Sequence, residues 1–213
     1  MNKLISGIYA ATISVFNDDL SLNVEKTIKH SEKIIDEGCH GVVMFGSTGQ
    51  AQYISVSEKI SLINQLSKSK YSDKFIIGTG LNSLIEIINF MKTSCSLNFN
   101  KFLIMPPAFY SYDELGVKKF YKKIIESVPT SKIILYNFEA LCGFKFNEKL
   151  VEELKKEFPD QIVGIKDTTG NLFKKIKIDN FSYFSGTELN LLEGLKFGYA
   201  GIITANANVS ASL

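Results

Sequence analysis

The sequence has no arginine. All 24 of its basic side chains are lysines, and tryptophan is missing too. Without a guanidinium, no residue offers the flat, multi-donor fork that grips a carboxylate or phosphate through two parallel hydrogen bonds. Excess charge is also scarce. Against 22 acidic residues the formal net charge is only +2, with no basic stripe, so nucleic acid is not an expected partner. The three cysteines, Cys39, Cys95 and Cys142, are odd in number and far apart, which excludes a disulfide framework and a CxxC pair. Two histidines, His30 and His40, are too few for an ordinary histidine-rich metal site. No apolar run is long enough to span a bilayer, so no membrane partner is expected.

The opening segment, MNKLISGIYAATISVF, carries one lysine before an apolar run, as a signal peptide does. Gly7, Thr12 and Ser14 interrupt that run, and its β-branched residues suit a strand better than a leucine-rich leader. With the unpaired cysteine pattern, a reduced cytoplasmic compartment is the expectation.

What is present is ordinary globular composition: 213 residues, 45% hydrophobic and 22% charged, enough for a sizeable core. Eight short apolar runs, at 7–16, 41–46, 75–80, 101–107, 132–137, 162–167, 181–187 and 200–206, are bounded by Gly, Pro, Asn or Asp and rich in Ile, Val and Phe. They read as fully buried parallel strands. Helical patterns lie between them. Residues 24–37 are apolar at 24, 28, 34 and 35; residues 57–69 carry Ile60, Ile63 and Leu66; residues 113–127 and 147–158 put lysines and glutamates on the opposite face. Ser55-Val56-Ser57-Glu58 is a capping box for the second helix.

This alternation predicts an α/β chain folded as one (β/α)8 barrel domain over residues 1–213. An open doubly wound sheet fits less well, because no GxGxxG follows the first strand. Such barrels typically take about 250 residues. NANVSASL stands where the eighth helix should begin, so the expectation is a C-terminally short barrel: the eighth helix and any helical extension are missing, or the barrel is incomplete with an exposed apolar flank on strand 8.

In this architecture the strands' C-terminal ends carry the chemistry. Lys166 ends the apolar run 162–167. Alone, it reads most simply as a lysine that snorkels to water or pairs with Asp167. The functional reading is a desolvated amine kept neutral enough to attack a ketone. Tyr136 ends the run 132–137 and, alone, is equally well a core aromatic with a wet hydroxyl. Ser47 and Thr48 are ordinary turn residues, yet the Gly46–Gly49 turn also offers an anion two hydroxyls and several N–H groups. Thr168, Gly186, Glu188, Thr204 and, after strand 4, Tyr110 complete the polar set at that end. Amine, phenol and anion nest on strands 6, 5 and 2 would face one barrel mouth, as Schiff-base chemistry on a 2-keto acid requires.

GSTGQ (46–50), YNFEALCG (136–143), GIKDTTG (164–170) and GIITANANV (201–209), in that order along nearly the whole chain, resemble the dihydrodipicolinate synthase/N-acetylneuraminate lyase superfamily of class I aldolases. The resemblance implies a (β/α)8 barrel, usually in tetramers of paired dimers with a helical C-terminal extension. It implies Lys166 as the Schiff-base lysine, Tyr136 as the proton relay, and Ser47 and Thr48 as the hydroxyl pair that holds the keto-acid carboxylate and assists the relay. Thr168 and Gly186 fall on pocket-lining positions, with Glu188 and Thr204 in the substrate-binding set. Tyr110, or Phe109, falls where an aromatic often crosses a dimer interface.

Departures bear on the substrate. The synthase branch usually has an arginine where this chain has Leu141, and EALCG is closer to the lyase and 2-keto-3-deoxy-sugar-acid aldolase branches. Glu139 replaces a usual proline. Leu189 stands where the second acid gripping a sialic acid tail would be. The expected function is therefore a pyruvate-dependent class I aldolase or lyase acting on a 2-keto-3-deoxy sugar acid or N-acetylneuraminate-type substrate. No cofactor or metal is needed, and a homo-oligomer is expected. The alternatives are a 4-hydroxy-tetrahydrodipicolinate synthase with rearranged substrate binding and a catalytically silent keto-acid-binding homologue.

Overall fold

Short runs of β-branched and aromatic residues, too short for helices and apolar on both faces, form strands covered on both sides. A computed structural model describes residues 5–212. The first four residues of the leader-like opening and the last residue of the 1–213 span lie outside it. Eight strands, β1 (Gly7–Ala11), β2 (Gly41–Met44), β3 (Phe75–Gly78), β4 (Lys101–Ile104), β5 (Lys132–Asn137), β6 (Ile162–Asp167), β7 (Ser182–Ser185) and β8 (Gly201–Thr204), pair in parallel in sequence order, and β8 returns to β1. Helices α1 (Val24–Asp36), α2 (Val56–Leu66), α3 (Leu84–Ser96), α4 (Glu114–Ser127), α5 (Glu139–Cys142), α6 (Glu148–Glu157), α7 (Leu191–Phe197) and α8 (Ala207–Ser210) alternate with the strands or follow them. This is the expected (β/α)8 barrel.

The capping box holds. Ser55 N–H donates to Glu58 Oε2 at 3.0 Å, and the Glu58 N–H donates back to Ser55 Oγ at 3.3 Å. The Ser55 hydroxyl, donating to Glu58 Oε2 at 2.6 Å, holds the Glu58 carboxyl below its ordinary range, helped by the Leu22 N–H at 2.8 Å and the Ser55 N–H. Helix α3 was not singled out from the sequence; its run LIEIINFM has too little polar contrast to show a face.

The sheet closes although α8 is a single turn. Asn208 ties that turn to β1: its Oδ1 accepts from the Ile13 N–H at 3.0 Å, and its Nδ2 donates to the Ala11 carbonyl at 2.9 Å. Leu189, Leu192 and Leu195, before and on α7, and Val209, on α8, are exposed apolar side chains.

Two cores result. Tyr9, Val43, Ile76, Leu103, Ile134, Tyr136, Val163, Phe184 and Ile203 fill the barrel, and a larger cluster packs between sheet and helices. One irregularity decides where β6 points. Ile133 pairs with Ile162, but Ile134 pairs with Gly164, so one extra residue, Val163, is accommodated in β6. Such a bulge reverses the in–out parity of everything after it. Val163 lies in the barrel core and Ile165 in the outer core, so Lys166, in register with the interior Tyr136, faces inward. Strict alternation from Val163 would have turned it outward.

Candidate active site

Lys166 and Tyr136 are register partners on adjacent strands, and both side chains are buried, Lys166 with 5% of its surface exposed. Lys166 Nζ lies 3.4 Å from Tyr136 Oη and 4.4 Å from the centre of its ring. Tyr136 Oη in turn lies 3.1 Å from Ser47 Oγ. Amine, phenol and serine hydroxyl thus form one chain across strands 6, 5 and 2. The simple reading of Lys166 as a snorkelling or Asp167-paired lysine does not describe it. The amine is not in water, and Asp167 points the other way.

Asp167 is buried on the outer face of β6. Its Oδ1 accepts from Asn137 Nδ2 at 2.7 Å and the Gly170 N–H at 2.8 Å; its Oδ2 accepts from the Leu172 N–H at 3.0 Å and Tyr183 Oη at 2.6 Å. Burial and this carboxylate push the Tyr183 phenol far above its ordinary range. Asn137 Nδ2 also donates to Asn171 at 2.8 Å, and Asn137 Oδ1 accepts from the Phe146 N–H at 3.1 Å. This network fixes β6 and its following loop from behind, and so fixes Lys166. Asn137 was not singled out from the sequence. An amide at the end of an otherwise apolar strand was the available signal.

The turn after β2 is bracketed by two residues in left-handed conformation, Phe45 (φ 53°) and Gln50 (φ 53°). For a bulky side chain that is an outlier of the kind that gathers at working sites. Gly49 packs closely under the turn: a Cβ there would lie 2.8 Å from the Thr12 carbonyl, and Ser14 Oγ donates to the Gly49 carbonyl at 2.7 Å. Ser47 is left exposed and Thr48 half-buried.

The remaining predicted residues divide. Thr168 stands beside Gly186, where a Cβ would collide with the Thr168 hydroxyl. That hydroxyl is buried and is the one side-chain polar atom of its kind without a hydrogen-bond partner among the described residues. Thr204 donates to Glu188 and accepts from the Asn206 N–H at 3.0 Å. Tyr110 is exposed and packs edge-on against Phe109, with ring centres 5.1 Å apart. A cavity of about 230 Å³ touches Tyr136, walled by Ser47, Leu141, the polar side chains of Gln50, Gln52 and Tyr53, and apolar residues from strands 2 to 4 and the segments after them. Among the described residues no three His, Cys, Asp or Glu side chains gather as a metal site, and no helix is long and apolar enough to cross a membrane.

The geometry agrees with the sequence comparison. Residues 4–213 match the dihydrodipicolinate synthetase family. The chain belongs to this family. A DapA-like lyase of Chloroflexus aurantiacus is 26% identical over 206 residues, covering 93% of this chain and 69% of its own length. A 4-hydroxy-tetrahydrodipicolinate synthase of Methanopyrus kandleri is 29% identical over 221 residues, covering all of this chain and 73% of its own length. Among solved structures, the 2-keto 3-deoxygluconate aldolase of Picrophilus torridus shares the fold with a TM-score of 0.89 at 22% identity, over 97% of this chain and 76% of that one. Membership places this chain in a lyase and aldolase family.

Proposed function

We propose that the protein is a Schiff-base-forming aldolase or lyase that makes or breaks a carbon–carbon bond between pyruvate and an aldehyde. The observation that carries this reading is the chain from the buried Lys166 amine through the buried Tyr136 phenol to the exposed Ser47 hydroxyl. In the cleavage direction the Lys166 amine adds to the C2 ketone of a 2-keto acid and water leaves, giving an iminium. Ser47, Thr48 and the N–H groups of their turn hold the carboxylate. Tyr136 takes the C4 hydroxyl proton, and Ser47 is placed to share it. The C3–C4 bond then breaks, its electrons pass into the iminium, and the aldehyde departs. The enamine is protonated at C3 and hydrolysed to pyruvate, which frees the lysine.

The partnerless Thr168 hydroxyl and the Glu188–Thr204 pair are suited to hydroxyl groups on the aldehyde portion, the pattern of a 2-keto-3-deoxy sugar acid or an N-acetylneuraminate-type substrate. With Leu141 in place of an arginine and no arginine elsewhere, a second carboxylate has no fork to meet it. Aspartate semialdehyde, the substrate of the synthase alternative, should therefore turn over more slowly than a neutral hydroxylated aldehyde. The exposed Phe109–Tyr110 pair suits a contact between copies of the chain in a homo-oligomer.

Borohydride added with pyruvate tests the reading. It should inactivate the protein and attach a propanoate group to one peptide, the one containing Gly164–Asp167. Tyr136→Phe should keep that labelling but lower turnover by about 10²–10⁴-fold. Label scattered over exposed lysines sinks the assignment. Labelling without turnover on any aldehyde supports the silent homologue instead.

A further inference from the structure

Glu139 stands where a proline is usual, and its backbone shows what the exchange adds. It is the first residue of α5, so its N–H has no acceptor within the helix. That N–H donates to Thr169 Oγ1 at 2.9 Å, a bond that a proline could not make. Its carboxylate is engaged separately, with Lys145 Nζ at 3.2 Å.

Thr169 follows Lys166 closely, in the segment after β6. Two more bonds cross at the same place: the Thr168 and Thr169 N–H groups donate to the Asn137 carbonyl at 2.9 and 3.3 Å. Together these bonds carry the β5–β6 pairing past its last register pair, Asn137 and Asp167. Phe138 lies between the two tied residues, Asn137 and Glu139. Its ring packs on Tyr136, with centres 5.9 Å apart and planes tilted by 44°, and it adjoins the cluster that fills the barrel. Both chain neighbours of Phe138 are thus bound to the segment that follows the lysine's strand.

We propose that the bond from the Glu139 N–H to the Thr169 hydroxyl is a positioning tie for the relay: it seats the Phe138 ring against Tyr136 and so holds the phenol between Lys166 and Ser47. Glu139 and Thr169 act through Phe138 and are positioning residues. The kinetic consequence rests on the Schiff-base reading. It falls on kcat and not on pyruvate binding, because the keto-acid carboxylate is assigned to the Ser47–Thr48 turn after β2.

Each end of the tie can be removed with little else. Thr169→Val keeps the branched shape without the hydroxyl. Glu139→Pro removes the N–H; the first helical position takes a proline well, and Phe138 (φ −146°, ψ 79°) lies outside the α region that a following proline disfavours. Lys145→Gln breaks the ion pair and keeps the tie. Ring carbons of the nine tyrosines are labelled with ¹³C, the Tyr136 signal being the one missing from Tyr136→Phe. Hydrogen exchange of the Glu139 amide is followed, with kcat and KM for condensation of pyruvate with glyceraldehyde and with pyruvate-dependent borohydride labelling.

Thr169→Val should speed exchange of the Glu139 amide. Thr169→Val and Glu139→Pro should both shift the Tyr136 signal, and each should lower kcat by about three- to tenfold, the rate equivalent of one hydrogen bond, with the KM for pyruvate unchanged. The double variant should lose no more than either alone, because both changes cut one bond. Lys145→Gln should match the unmodified protein throughout. A Tyr136 signal that ignores both changes overturns the proposal, as do losses that multiply in the double variant or a KM that rises while kcat holds. An unmodified protein that takes no borohydride label sinks the Schiff-base reading separately. In that case, or if it labels without condensing glyceraldehyde, the Tyr136 signal and the amide exchange decide the tie alone.

Discussion

Lys59 and Lys166 are both buried, Lys59 completely and Lys166 with 5% of its surface exposed, yet their amines meet opposite surroundings. Lys59, on α2, donates to the carbonyls of Thr79 and Gly80, both at 3.1 Å, just past the end of β3. A carbonyl accepts and does nothing more, so this amine is an anchor. Lys166 reaches the Tyr136 phenol at 3.4 Å, and that phenol is bonded onward to Ser47. A phenol can give a proton as well as take one, so this amine sits at the start of a relay. A buried lysine alone says little; what its nitrogen touches separates a structural amine from a reactive one.

Exchanging the two roles by mutation gives the largest effect. Lys166→Ala should abolish both turnover and pyruvate-dependent labelling, because no other residue can serve as the electron sink. Lys59→Met should keep the labelling while losing about 1–3 kcal/mol of stability, as the buried Thr79 carbonyl loses the amine that donates to it, while the Gly80 carbonyl keeps the Gln52 amide. Mass spectrometry after borohydride and urea unfolding read the two outcomes side by side. If Lys59→Met also ends labelling, the distinction between the two amines collapses.

A smaller effect should follow from the bulge that aims Lys166. A Cβ on Gly164 would lie 2.3 Å from the Ser182 carbonyl, so Gly164→Ala must push β6 away from β7. Overpacking of this kind costs about 1–3 kcal/mol. Misplacing the amine by about 1 Å should lower kcat by roughly 10²-fold. Turnover that falls only in proportion to the folded fraction would show that the bulge does not set the lysine's aim.

Much of this was legible in the chain. The eight strands announce themselves as bounded apolar runs, and Lys166, Tyr136, Ser47 and Thr48 stand at three of their ends. The direction of Lys166 was not legible. In a strand buried on both faces every residue is apolar, so no alternation marks inside from outside, and the parity depends on the extra Val163. The cavity was hidden for a related reason: Phe45, Leu103 and Met105 look like any core residues until the closed barrel leaves space between them. Lys59 was hidden by its company, since a lysine after Ser55–Glu58 reads as the solvated side of a helix. Thr204 and Glu188, singled out separately, proved to be bonded to each other.

The smallest expected effect concerns pH and returns to Lys59. Burial lowers its amine from 10.5 to about 8, with Glu86 on α3 opposing the shift. Between those values the unfolded chain holds a proton there that the folded chain has released, so folding gains stability as pH rises through that window. Below about 8 both states are charged, and the penalty of burying the ammonium is fully present. Other groups pull the opposite way. Burial raises Cys39, Cys95 and Cys142 above 9.0 and Tyr9, Tyr121, Tyr183 and Tyr199 above 10.0, so their stabilising contributions fade as alkalinity increases. The raw stability curve therefore mixes both signs. Lys59→Met retains every one of those thiols and phenols, so the difference between the two proteins isolates the amine. Urea midpoints taken from pH 7 to 10 should show the unmodified protein gaining on the variant above about pH 8. A difference that stays constant over that range would mean that Lys59 is no harder to charge in the folded protein than in water.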